Sequence, residues 1–189
     1  MTLRRPLPLT LALLGSLTTA PAMAAVFINE IHYDNSSSND ANEGIEVVAT
    51  AGENLASYSI VLYNGATPSA GVTYSTRQLP AGSAVSCGSS VTMASLRSTN
   101  LVQNGGNDGI ALVDGNGQVV QFLSYEGVLT ASNGPAAGMT STNIGVSETN
   151  STAPGTSLQL GGSGNSAASF TWRSSATATS FTLVPVGPV

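Results

Sequence analysis

Val26 to Val48, VFINEIHYDNSSSNDANEGIEVV, alternates twice. Phe27, Ile31 and Tyr33 take turns with Ile28, Glu30 and His32. After an Asn/Ser/Asp interruption, Ile45 and Val47 take turns with Gly44, Glu46 and Val48. A period of two belongs to a pleated strand and not to a helix, so the stretch predicts two β-strands joined by a polar loop. Five of the ten carboxylates of the chain (Glu30, Asp34, Asp40, Glu43, Glu46) and its single histidine, His32, fall here. Any chemical site is first to be sought in this stretch.

Upstream, Arg4 and Arg5 precede the apolar run LTLALLGSL at residues 9–17, and Ala22, Met23 and Ala24 supply a small-x-small cleavage pattern. Residues 1–24 therefore predict a secretory signal peptide cleaved near Ala24. Its apolar run is shorter than the roughly 20 residues a spanning helix needs. The mature chain is expected to be secreted, extracellular or periplasmic, with a length suited to one domain of about 100–200 residues. Cys87 is the only cysteine, so no intrachain disulfide framework exists, and the residue reads first as a small buried apolar group. Past residue 24, three arginines stand against ten carboxylates, a formal charge of −7, with no lysine. That balance speaks against direct nucleic-acid binding and against docking on anionic lipid.

Downstream, short β-patterned runs recur between turn signals. Tyr58 to Tyr63 is a strand closed by Asn64 and Gly65; Val72 to Leu79 is another; Ser83 to Met93 is a weakly patterned third. Residues 110–113 and 118–125 flank the turn DGNG at 114–117 and predict an antiparallel hairpin. From Glu126 to Pro154 no periodicity survives, and a loop that long is usually functional or disordered. Thr156 to Leu160 and Ser169 to Trp172 close the pattern, with the sole tryptophan, Trp172, as a core plug packed against the opening strand. Residues 174–189 read as a Ser/Thr/Pro-containing tail, with one further strand around Ser180 to Val184. No amphipathic helix of three turns is visible past residue 24. The fold class is all-β, a β-sandwich spanning residues 26–173.

Three chemistries are available to the residues. A nucleophile scheme has only His32 with Cys87, or His32 with a serine, and no Gly-x-Ser-x-Gly elbow. In a strand beside Glu30 and Asp34, His32 reads as a half-exposed, hydrogen-bonded side chain. A carboxylate pair of Glu30 with Glu43 or Glu46 has the spacing to face across adjacent strands, but no aromatic cluster marks a sugar cleft. The plain reading of these glutamates is as acceptors for backbone or Asn donors near the loop. Asp34, Asp40 and Glu43, with neighbouring Asn and Ser oxygens, form a calcium candidate, since hard cations favour oxygen ligands. The EF-hand template does not fit: counted from Asp34, the sixth position is Asn39 and the twelfth Ile45. No other cofactor is expected.

The blocks INEIHYD (28–34), Asn42-Glu43 with Ile45-Glu46, YSIVLYNG (58–65), DGIALVD (108–114), VVQFLSYEG (119–127), GPAAGMTS (134–141), IGVSE (144–148), SLQL (157–160) and FTW (170–172) follow one another in an order that resembles a secreted bacterial lamin-tail domain. Gly44 departs from that pattern where an aromatic is usual, and residues 83–100 match little. The resemblance implies an immunoglobulin-like sandwich without catalysis of its own, an interaction or accessory module of the kind that accompanies exported nucleases, phosphatases or proteases. Its partner would be a protein or a component of the cell envelope. No heptad segment accompanies the blocks, so no nuclear role is carried over. Two other readings remain open: a calcium-dependent extracellular adhesion or matrix module, and an uncharacterised secreted hydrolase.

Overall fold

A computed structural model describes residues 25–87 and 89–177, leaving aside the side chains of Cys87 and Ser89. Residues 1–24, expected to be a signal peptide, and the strand expected around Ser180 to Val184 lie outside the described residues. The chain runs through β1 (Val26–His32), β2 (Glu43–Thr50), β3 (Ser59–Tyr63), β4 (Thr73–Gln78), β5 (Ser83–Cys87) and β6 (Ser89–Ser98). It continues through β7 (Gly109–Val113), β8 (Val119–Ser124), β9 (Thr142–Asn143), β10 (Thr156–Gly162) and β11 (Phe170–Thr177). Two single 3-10 turns, Leu55–Ser57 and Ala167–Ser169, are the only helical pieces among the described residues. One sheet has the order β11-β10-β1-β2-β6-β5, the other β4-β3-β7-β8-β9. They stack as an all-β sandwich.

The opening stretch forms the centre of the first sheet, but its alternation is not the one the letters suggest. Ile28 pairs with Val47 and Glu30 with Glu46, so Asn29 is an extra residue, a β-bulge. A bulge moves every following side chain to the other face. Ile28, Ile31 and Tyr33 therefore all point between the sheets, with Ile45 and Val47 from β2. Phe27 falls on the outer face beside Val48 and Met93, in a separate cluster. The expectation that Phe27 shares a face with Ile31 and Tyr33 fails for this reason. Both faces of β1 are buried along its whole length.

Across the sandwich, Ile60, Leu62, Ile110, Leu112, Leu123 and Tyr125 meet Ile28, Ile31 and Ile45 in the central core. Fully burying each aliphatic side chain is worth about 1.5–3 kcal/mol. Residues 83–93 form two strands and not one, because β5 turns back on β6 with Val85 opposite Val91. The aperiodic segment from Glu126 to Pro154 is ordered as a cover. Its Leu129, Ala131 and Ala136 pack on Val61, Tyr63, Ala111 and Phe122 of the second sheet, a bridge pairs Thr130 with Thr140, and β9 runs parallel to β8. The last strand continues past Arg173 to Thr177.

Trp172 is half-buried rather than sealed in the core. Together with Phe170, Leu160 and Ala167 it forms one wall of an apolar groove of about 450 Å³, with Val120 and Phe122 opposite. Trp172→Ala is accordingly expected to cost less than the ~3–5 kcal/mol of a fully buried tryptophan, whereas Ile31→Ala should cost about 2–5 kcal/mol. Denaturant unfolding of the two variants checks the order; a larger loss at Trp172 would show that the groove wall carries more of the fold than Ile31 does.

Candidate functional site

The strand registers bring one set of ends together. His32 lies opposite Gly44, and Gly44 opposite Arg97; Tyr63 lies opposite Gly109, and Gly109 opposite Ser124. Tyr33 and Tyr125, each one residue past its strand, stack at 3.8 Å between ring centres and join these ends across the sandwich. The loops following β1, β3, β6 and β8 converge there. Among the described residues, the five non-glycine residues with positive φ are all in these loops: Asp40, Asn42, Asn100, Asn107 and Glu126. Asp and Asn tolerate the left-handed region because a short side chain can bond locally, but Glu126 at φ 57° is more strained. Its neighbour Gly127, at φ 147°, takes a backbone conformation that favours glycine, and a Cβ there would also crowd the Asn107 amide.

The centre of this end is Glu148, buried like His32. Its Oε2 accepts from the backbone N–H of Tyr33 at 2.7 Å and of Asp34 at 3.2 Å, and its Oε1 from His32 Nδ1 at 2.8 Å. In return the Glu148 backbone N–H donates to the Tyr33 hydroxyl at 2.8 Å, which itself donates to Glu126 Oε1 at 2.8 Å. Asn35 fixes the other side of the imidazole. Its Oδ1 accepts from Ser37 N–H and its Nδ2 donates to the Ala41 carbonyl, so the amide presents an N–H to His32 Nε2 at 3.0 Å. Nε2 must therefore carry the lone pair and Nδ1 the proton donated to Glu148. The expectation of a half-exposed His32 is corrected: only 1% of it is exposed, because the segment around Glu148 closes over it.

His32 and Cys87 are held apart by the sheet. Cys87 pairs with Ser89 at one end of β6, while His32 is level with Arg97 at the other. Eight residues of strand separate those levels, about 26 Å. Glu30 does face Glu46 across β1 and β2, but both are buried, with 0% and 1% exposure.

Each member of the calcium candidate has protein donors. With its amide turned so that the nitrogen faces Asp34, Asn150 donates to Oδ1 at 2.9 Å and Oδ2 at 3.1 Å. Asp40 Oδ1 accepts from Asn35 N–H at 3.1 Å and its Oδ2 from Asn104 Nδ2 at 3.2 Å. Glu43 Oε2 accepts from Val102 N–H at 2.9 Å. Burial pushes the Glu43 carboxyl up to about 7 against the pull of that N–H, and burial likewise raises Asp34 and Asp108. Among the described residues no three His, Cys, Asp or Glu side chains are grouped to hold a metal ion. Beside them a polar hollow of about 270 Å³ is lined by Asn64, Gln103, Asn104 and Asp108. Asp108 braces its floor by accepting from Gly65 and Gly105 N–H.

Glu148, Glu126, Asn35 and Asp108 are the residues that sequence reasoning did not single out. A signal existed for one of them: Glu148 is the only charged residue between Glu126 and Arg173. A lone charge in such a stretch needs a partner once the stretch packs down.

Two stacked sheets with a braced loop end define an immunoglobulin-like β-sandwich. Within that class, the family model described as the lamin tail domain matches residues 19–127, more than half of the chain, and the chain belongs to that family. No curated protein matches it and no solved structure matches it. No helix among the described residues is long and apolar enough to cross a membrane.

Two outcomes are expected at this end. Glu148→Ala orphans the N–H groups of Tyr33 and Asp34, each worth about 1–3 kcal/mol when buried unsatisfied, so stability should fall by about 3 kcal/mol in urea titration and resonances of residues 126–154 should broaden. Calcium at millimolar level should raise the melting temperature no more than magnesium does, because Glu43 is incompletely ionised near neutral pH and the other two carboxylates have donors. A genuine site at ten times Kd would add about 1.4 kcal/mol, and loss of such a calcium-specific gain in Asp40→Asn would establish it.

Proposed function

We propose that this chain is an exported, non-catalytic lamin-tail module whose braced loop end is presented to a protein or cell-envelope partner, as an accessory to other exported proteins. The observation that carries this reading is how the titratable groups of that end are used. His32, Glu148, Tyr33 and Asn35 are spent on one another, and among the described residues no buried side-chain nitrogen or oxygen lacks a hydrogen-bond partner. A general base needs an accessible lone pair within reach of a substrate proton. The lone pair on His32 Nε2 is already occupied by Asn35. Rigid loops on a packed sandwich are a common platform for recognition. Export is supported by the arginine pair, apolar run and small-residue cleavage pattern of residues 1–24.

The test is direct. Full-length chain expressed in a secreting host should be recovered outside the cytoplasm with a new N-terminus near Ala25. The purified product should show no turnover on nuclease, phosphatase, protease and glycosidase substrates, with or without divalent metal. Turnover that disappears in Glu30→Gln or His32→Ala would overturn the non-catalytic reading, and an intact N-terminus with cytoplasmic recovery would overturn export.

A further inference from the structure

The outer face of the first sheet carries two acids at its centre. Glu30 and Glu46 are register partners on β1 and β2, so their side chains leave the same face from backbones about 5 Å apart. Both are buried, with 0% and 1% exposure. The hydrogen bonds distinguish them. Gln159 Nε2 donates to Ser157 Oγ at 2.9 Å, so that hydroxyl turns its own proton to Glu30 Oε1, a bond suited to an anion. Glu46 Oε1 accepts from Asn29 Nδ2 at 2.8 Å, a neutral amide placed there by the bulge. Among the described residues, the other titratable or charged groups on this face are His32 on β1, Arg97 on β6 and Arg173 on β11, Arg97 like Glu30 having a further partner of its own; β10 contributes the neutral Ser157 and Gln159. His32 donates its Nδ1 proton to Glu148, and the Arg173 side chain lies across Gly161. Two like charges that are adjacent and desolvated cannot both persist.

We propose that Glu30 and Glu46 hold one proton between them, with Glu46 as the neutral acid, and that this pair makes the domain an acid-favoured fold that loosens as its surroundings turn alkaline. Burial first, then the charge of Glu30, holds the Glu46 carboxyl up to about 8, against an ordinary value of 4.5. Between those two values the unfolded chain has given up the proton and the folded chain keeps it. Folding there takes up a proton, so stability falls as pH rises from about 4.5 to about 8 and levels off above. For one proton the unfolding constant grows about tenfold per pH unit across that window.

Glu46→Gln keeps the acceptor for Asn29 Nδ2 and makes the neutral form permanent. With full chain, urea unfolding at pH 5 and pH 8 is expected to show parent and variant nearly equal at pH 5. At pH 8 the variant should be the more stable by about two orders of magnitude or more in the unfolding constant. Parallel pH profiles for the two would overturn the proposal. Should the variant fail to fold, the carboxyl carbon resonance of Glu46 in the parent decides the matter: titration near pH 8 supports the pair, and titration in the ordinary carboxylate range overturns it.

Discussion

One extra residue in β1 sets the rest of the molecule in place. Had Asn29 not been bulged out, Ile28 would share the outer face with Glu30 and His32, and Phe27 and the polar Asn29 would turn into the core in its place. With the bulge, Ile28, Ile31 and Tyr33 fall inward in succession, and Glu30 and His32 fall outward where Ser157 and Glu148 await them. A strand with side-chain period two has no other means of changing faces partway along. The amide of Asn29 is itself used, as the donor to Glu46. Strand pairing, core composition and the polar end of the sandwich thus share one local irregularity.

Much of the acidity of the chain is buried. Glu30, Asp34, Glu43, Glu46, Asp108 and Glu148 are buried, which leaves the surface to Ser, Thr, Asn and Gly and to a few scattered charges. A buried carboxylate is tolerated where backbone and amide N–H groups surround it, and otherwise keeps its proton. Both solutions occur here. Glu148 collects two backbone N–H groups and an imidazole, whereas Glu46 has one amide and a neighbouring acid. The formal charge of −7 past residue 24 is therefore a poor description of what a partner meets.

The segment from Glu126 to Pro154 shows how an aperiodic stretch becomes structure. It has no alternation because it neither extends a sheet for long nor lines one face of a helix. It lays small residues, Ala131 and Ala136, onto the outer side of the second sheet, then returns to the loop end to insert Glu148 beneath β1. Periodicity reports repeated burial on one face, and a cover that touches the body at irregular points leaves no such trace. The same reasoning explains why residues 83–93 read as one strand: β5 runs back along β6 within a stretch of small polar residues that carries no strong turn signal.

The sequence by itself determined the all-β class, the pairing of the two opening strands, the DGNG hairpin between β7 and β8, and the family. Each of these rests on local alternation, turn chemistry or ordered blocks of residues that need no knowledge of distant contacts. Only the tertiary structure decided that His32 is buried and which tautomer it holds, for that depends on Glu148, 116 residues away. It alone decided that Glu30 meets Glu46 and not Glu43, since register across the bulge selects the partner. It also separated His32 from Cys87 along β6 and gave each of Asp34, Asp40 and Glu43 its own donors. Side-chain chemistry is set by what surrounds a group, and most of what surrounds these groups comes from elsewhere in the chain.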